Sequence, residues 1–127
     1  MTTPGDRTSR LRQSLCRLRD ETGRLLDVFL GRDPLVRGSV YELRTKCGKS
    51  GCACARRGRL HSCTAITWRS VGGRKRLRSL SPKEKLELTR LTENYRRFRR
   101  ARAQFVELHG KLLEVIDQLD VARRREP

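Results

Sequence analysis

Residues 47–63 read CGKSGCACARRGRLHSC and hold four of the five cysteines and one of the two histidines of this 127-residue chain. Their spacing is C-x4-C-x-C-x6-H-x-C. Short spacings let one turn aim two thiolates at a single point, as a tetrahedral zinc site requires. In the reducing compartment that we expect for this chain, four cysteines clustered in this way are more often metal ligands than disulfides. The segment therefore predicts a bound zinc ion.

The segment offers five candidate ligands for four coordination positions. Cys47, Cys52 and Cys54 share a glycine-bounded turn and are predicted ligands. His61, predicted to lie in the loop, is the favoured fourth ligand. Cys63 stays open as the alternative, because side chains two residues apart in an extended stretch point to the same side.

Hydrophobic periodicity on both sides of this segment predicts an α+β fold in one domain, residues 1–127. An N-terminal helix is predicted over 6–31, a Cys-rich basic β module over 38–80 and a long C-terminal helix over 81–122. Strands at 39–45, 65–71 and 74–80 would form a three-stranded antiparallel sheet, with a Gly72-Gly73 turn in its hairpin. Ser81-Pro82-Lys83-Glu84 is typical of a capped helix start.

Each predicted helix carries one apolar stripe, so we expect the two to pack antiparallel. The stripe of the first helix is Leu11, Leu15, Leu18, Thr22, Leu25 and Phe29. The stripe of the second is Leu91, Tyr95, Phe98, Arg102, Phe105, His109, Leu112, Ile116 and Leu119. The second helix is longer than its partner, and its aromatic positions suggest a homodimer that completes the stripe.

The charge pattern indicates a polyanionic partner. The formal net charge is +17, and 12 Lys or Arg residues but no acid lie between Glu42 and Glu84. We expect these cations, with a second group on the long helix, to contact the phosphates of DNA or RNA. The predicted contacts are Lys49, Arg56, Arg57, Arg59, Arg69, Arg74, Lys75, Arg76, Arg78, Arg96, Arg97 and Arg100. A face of Arg74, Arg76 and Arg78 is expected on the hairpin.

The same composition bears on catalysis and location. A catalytic zinc would need an open coordination position and a nearby general base, and the acid-free window supplies no such base. We therefore expect no enzyme. No apolar run approaches the roughly 20 residues of a membrane span, and the N-terminus lacks the apolar core of a signal peptide. A cytoplasmic protein without a membrane partner is expected.

Two motifs carry a resemblance to a known family. The sequence KCGKSGCAC, followed by His61 and later by NYRRF, resembles a family of short, uncharacterised bacterial proteins carried as a domain of unknown function. The similar region covers residues 38–116. Members look like K-C-G-K-x-x-C-x-C followed by H-G-P, whereas Ser62-Cys63 follows the histidine here. The resemblance implies an association with mobile elements.

The leading hypothesis from the sequence is a zinc-stabilised, non-enzymatic nucleic-acid-binding protein, an accessory factor of a mobile element. The alternative hypothesis is a protein-interaction adaptor, or a dimerising coiled-coil subunit of a larger nucleoprotein machine. That alternative predicts that a partner binds through Leu91, Phe98 or Phe105 and that changes to Arg74 and Arg76 matter little.

Overall fold

The computed structural model describes residues 3–46, 48–49, 51–52 and 60–127. The elements, in chain order, are α1 (Pro4–Phe29), β1 (Gly38–Thr45), β2 (His61–Arg69), β3 (Lys75–Ser79) and α2 (Pro82–Arg123). This is the predicted α+β arrangement. The chain divides into two compact units, Met1–Arg32 with Arg97–Pro127, and Asp33–Arg96. The unit with α1 is called the helical unit below, and the other the sheet unit; α2 contributes to both.

In the helical unit, α1 packs antiparallel against residues 97–123 of α2. Phe29, near the end of α1, makes edge-to-face contacts with Phe98 and Phe105, with ring centroids 5.1 and 6.1 Å apart. At the other end, Leu15 shares a groove with Leu119. Phe98 and Phe105, two of the aromatic positions expected to face a second chain, therefore pack against α1 of the same chain, and the homodimer stays a prediction.

The apolar stripe of α2 also differs from the prediction in its phase. Ala101 and Leu108 are each only 4% exposed, whereas Arg102 and His109, which were predicted to interrupt the stripe, are exposed. Alternating steps of 3 and 4 then run from Phe98 through these residues. The helix consequently buries an uninterrupted apolar seam against α1, with both polar side chains turned to solvent.

In the sheet unit, the strand order is β1-β2-β3 and both pairs are antiparallel. Ala65 and Ile66 of the central strand are buried. Strand β2 begins earlier than the predicted 65–71, because all eight residues of β1 pair with it and Thr45 lies opposite His61. His61 is thus the first residue of a strand, and its predicted place in the loop is wrong. Gly72 and Gly73 have φ of 97° and 84° in the β2–β3 turn.

The start of α2 confirms the predicted capping box. The Ser81 hydroxyl accepts a hydrogen bond from the Glu84 backbone N–H, and a Glu84 carboxylate oxygen accepts one from the Ser81 N–H, each at 3.2 Å. Pro82 occupies the first helical position, where it needs no backbone donor. Among the helices of the described residues, none combines the length and apolar character that a membrane span requires.

Candidate metal centre and nucleic-acid interface

The structure brings two predicted zinc ligands together. The Sγ atom of Cys52 lies 3.0 Å from Nε2 of His61. Zinc bonds of about 2.3 Å to sulfur and about 2.0 Å to nitrogen, at a tetrahedral angle, would hold these two atoms about 3.5 Å apart. A small outward movement of either side chain would make room for the ion. The chemistry of this pair, a thiol and an imidazole, fits zinc.

The other predicted ligands are placed less completely. Cys63 is half-buried and lies on the same side of β2 as His61. Cys47 and Cys54 lie outside the described residues. Within the described part of the chain, no three His, Cys, Asp or Glu side chains converge on one point. The zinc site and its four-ligand set therefore stay predictions, and Cys63 stays the alternative fourth ligand.

A basic cleft of about 370 Å³ opens on the sheet unit. Four cations and two aromatic side chains contribute to its lining: Arg37, Arg69, Lys75, Arg96, Trp68 and Tyr95. Its floor includes the start of β1 at Gly38 and the end of β2. No acidic side chain belongs to this lining among the described residues. We call this the basic cleft.

Local contacts explain why Arg37 reaches the cleft. The Val36 backbone N–H donates to the Leu91 carbonyl of α2 at 3.3 Å, and Asp33 forms an ion pair with Arg90 at 3.4 Å. These two contacts hold the segment before β1 against the first half of α2. Arg37 is consequently fixed beside Tyr95, which lies one helical turn beyond Leu91.

Strand pairing places the cations of the hairpin. Arg69 lies opposite Lys75 in the β2–β3 register, and Gly38 lies opposite Trp68 on the other side of β2. A Cβ atom at Gly38 would come within 2.7 Å of the Thr67 carbonyl oxygen. Glycine at this position therefore permits the close approach of β1 and β2 that forms the floor of the cleft.

The four cations of the cleft differ in their partners. Arg69 donates to the Gly73 carbonyl at 2.9 Å, and Arg96 pairs with Glu93 at 3.1 Å. Among the described residues, neither Arg37 nor Lys75 has an ion-pair partner. The carbonyl that Arg69 binds is neutral, so three cleft cations keep uncompensated charges beside the one that Glu93 pairs, and the net positive field would be neutralised by an anion.

The remaining predicted cations are more scattered. Arg78 donates to Glu84, so the expected Arg74, Arg76 and Arg78 face loses one of its free charges. Arg74 precedes β3, where its carbonyl accepts from the Ser70 N–H at 2.9 Å. Arg76 and Lys49 are exposed. Arg97 and Arg100 are exposed on the helical unit, and Arg56, Arg57 and Arg59 lie outside the described residues.

Glu42 and Glu84, the two acids that bound the acid-free window in the sequence, both accept hydrogen bonds in the structure. Hydrogen bonds from Arg78 and then from the Ser81 backbone lower the pKa of Glu84. Hydrogen bonds from Ser62 and then from Lys85 lower the pKa of Glu42. Both carboxylates are thus bound by side chains that lie outside the basic cleft, and neither carboxylate belongs to its lining.

Sequence reasoning missed two members of the cleft. Arg37 was not among the predicted contacts, because it lies before the acid-free window, and Tyr95 was assigned only to the helix stripe. The available signal was an arginine directly before the Gly38 strand start and a tyrosine beside Arg96. Neither the Arg37-Gly38 pair nor the Tyr95-Arg96 pair by itself predicts that these residues share one site.

Comparisons with known proteins add no relative: a scan against protein-family models, a search of curated proteins and a search of solved structures each returned no match.

Proposed function

We propose that this protein is a zinc-stabilised, non-enzymatic nucleic-acid-binding protein whose principal contact is the basic cleft. The observation that carries the proposal is the lining of the cleft, where Arg37 and Lys75 present charges without ion-pair partners among the described residues. Phosphate groups satisfy such cations with charge-assisted hydrogen bonds. Binding would also relieve the mutual repulsion of a chain with a net charge of +17.

The aromatic side chains favour a single-stranded ligand. Trp68 and Tyr95 are both half-exposed where they line the cleft. In a duplex the base faces are stacked on each other, whereas an unpaired base can stack on an aromatic ring, at about 1 to 3 kcal/mol per base. Phosphates at the cations and a base on a ring would together hold a short stretch of unpaired DNA or RNA.

Zinc in this proposal is structural. When bound, it would join the segment after β1 to the start of β2 through Cys52 and His61, with Cys47 and Cys54 completing the set. β1 and β2 both contribute to the floor of the basic cleft, so a fixed β1–β2 connection supports its shape. Support for a link to mobile elements comes from the KCGKSGCAC and NYRRF resemblance.

The proposal is tested with the intrinsic fluorescence of Trp68, the single tryptophan of the chain. We expect an unpaired oligonucleotide to quench this emission in about 100 mM salt, and a duplex of the same sequence to quench it less. Four phosphate contacts would give a slope of about −3 in log K against log salt for a single strand. Removing two contacts should reduce that slope by about 1.4.

A matched pair of double variants separates the cleft from general charge. Arg37→Gln with Lys75→Gln removes two cleft cations, whereas Arg10→Gln with Arg12→Gln removes two exposed cations from α1. We expect the first pair to weaken binding and flatten the salt slope, and the second to leave the slope nearly unchanged. Equal losses in both pairs, or no binding by the wild type, would refute the cleft as the contact site.

A further inference from the structure

A second apolar stripe remains exposed on α2, next to the seam that packs against α1, and its last member, Ile116, borders the groove that Leu15 of α1 lines. Val106, Leu113 and Ile116 are 60%, 48% and 46% exposed. Together with His109 they fall at steps of 3, 4 and 3, which places all four on one side of the helix. All of them belong to the helical unit. We call this side the outer stripe.

The outer stripe has a charge asymmetry along its length. On the same side of the helix, Arg99 and Arg102 precede it, and Asp117 and Asp120 lie at and beyond its far end. Asp120 is bound by Arg124 at 2.6 Å, and the structure gives no ion pair to Arg102 or Asp117 in the part of the chain that it describes. The unpaired charge on this surface therefore changes from cationic at Arg102 to anionic at Asp117, while the charge of Asp120 is offset by Arg124.

Gly110 lies halfway along the length of this surface and at its edge, about 100° around the helix from His109. Glycine inside a helix costs about 1 kcal/mol relative to alanine. The helix nevertheless continues through it to Arg123, and a Cβ atom at this position would meet none of the described residues within 4 Å. The described part of one chain thus gives no packing reason for this glycine, whereas close approach by the backbone of a second helix would supply one.

We propose that the outer stripe is the interface of a homodimer in which the α2 helices of two copies cross antiparallel. A two-fold axis between His109 and Gly110 places Val106 of one copy opposite Leu113 of the other. The same axis places Arg102 opposite Asp117 and Arg99 opposite Asp120. Because the interface is two-fold symmetric, each of these pairs occurs twice.

The charges along the outer stripe favour a second copy of this chain as the partner, with the two α2 helices antiparallel. A parallel pair would put the Arg99 ends together and the Asp120 ends together, and like charges in contact are repulsive. The antiparallel pair matches opposite charges at both ends and covers the apolar centre. The proposal is independent of nucleic-acid binding, because the basic cleft lies in the other unit.

The first test is the mass of the full-length protein in solution, by sedimentation equilibrium. We expect twice the chain mass of 14.7 kDa. Leu113→Glu places a carboxylate at the apolar centre and should weaken dimerisation by roughly tenfold or more. Leu86→Glu makes the same change at a 77% exposed leucine of the sheet unit and should leave the dimer intact.

The second test is a charge exchange that defines the register. Arg102→Asp should weaken the dimer by roughly tenfold, because it faces Asp117 of the other copy. Adding Asp117→Arg to the same chain restores an opposite-charge pair and should recover most of the affinity. Circular dichroism confirms that each variant keeps its helix content. A monomeric wild type, an unaffected Leu113→Glu protein, or a charge exchange that restores nothing would each overturn the proposal.

Discussion

Cys52 and His61 are nine positions apart in the sequence, and the Sγ atom of the first lies 3.0 Å from Nε2 of the second. The pairing of β1 with β2 explains part of this proximity. Thr45 ends β1 opposite His61, so the chain that leaves β1 starts beside the imidazole and passes Cys52 on its way back to β2. This contact is the part of the predicted metal site that the described residues contain.

Loss of the imidazole should release zinc. We expect the purified wild-type chain to contain a single zinc ion, His61→Ala to lose it, and Cys63→Ala to retain it. Zinc in small structural sites contributes about 10 to 16 kcal/mol of apparent free energy, so the His61→Ala protein should also unfold at a lower temperature. Elemental analysis by mass spectrometry and thermal circular dichroism measure the two effects.

The reverse outcome is equally informative about the fourth ligand. Zinc retained in His61→Ala but lost from Cys63→Ala would assign the ligand to the cysteine. A wild-type protein purified without chelators, yet free of zinc, would contradict the metal site itself.

Glu84 should make the stability of the sheet unit depend on pH in the acid range. Its pKa in the folded protein lies below the ordinary 4.5, first because of the Arg78 hydrogen bond. A lowered carboxyl pKa adds stability that is complete above the unfolded value and is lost as the pH falls through the folded value. We therefore expect Glu84→Gln to be less stable than wild type at neutral pH, with the difference shrinking below about pH 4.5.

Urea unfolding at neutral and acid pH measures this difference. The matched control is Glu87→Gln, an exposed residue on the same helix with no ion pair among the described residues. A Glu84→Gln effect that stays constant from neutral to acid pH would contradict the role of the carboxylate charge.

Local patterns predicted the elements well, because each pattern needs only neighbouring residues. The capping box at Ser81 and the six stripe positions of α1 are visible in this way. In α2 the stripe followed Phe98, Phe105 and other large residues but chose Arg102 over its smaller neighbour Ala101. Alanine gives a weak hydrophobic signal, and positions 101 and 102 both lie three or four residues from Phe98 and from Phe105, as helical spacing requires.

The basic cleft illustrates what local patterns could not reveal. Arg37 and Tyr95 line one cleft, and the hydrogen bond from Val36 to the Leu91 carbonyl joins the segment before β1 to a helix that follows the whole sheet. Contacts over such sequence distances depend on tertiary packing, which a periodicity does not encode. The cation-rich composition predicted the class of partner, while the fold selected which cations share one site.

Leu108 should be essential to the helical unit, and this tests the corrected stripe. It is 4% exposed, so Leu108→Ala should lower the free energy of unfolding by about 2 to 5 kcal/mol through lost packing and a cavity. The neighbouring Glu107→Ala truncates a side chain of similar size at an exposed position and should change the free energy of unfolding by no more than about 0.5 kcal/mol. Urea unfolding followed by circular dichroism at 222 nm, where helices absorb, compares the two. Similar effects of both changes would mean that the seam does not pass through Leu108.

The same replacement of glycine by alanine should have opposite effects at two positions. At Gly38 the new Cβ would approach the Thr67 carbonyl oxygen to 2.7 Å, and that oxygen belongs to the backbone of β2. The strands would have to separate, at a cost of about 1 to 3 kcal/mol. At Gly23, inside α1, a new Cβ meets none of the residues that the structure describes within 4 Å, and alanine should stabilise the helix by about 1 kcal/mol. Urea unfolding of each variant measures the sign of the change in the free energy of unfolding.

A destabilised Gly23→Ala would indicate an unrecognised contact on that side of α1, and a neutral Gly38→Ala would show that β1 can shift without loss of pairing. Gly38 also lines the basic cleft. The Trp68 fluorescence of Gly38→Ala should therefore be quenched less by an unpaired oligonucleotide, whereas Gly23→Ala should bind as the wild type does.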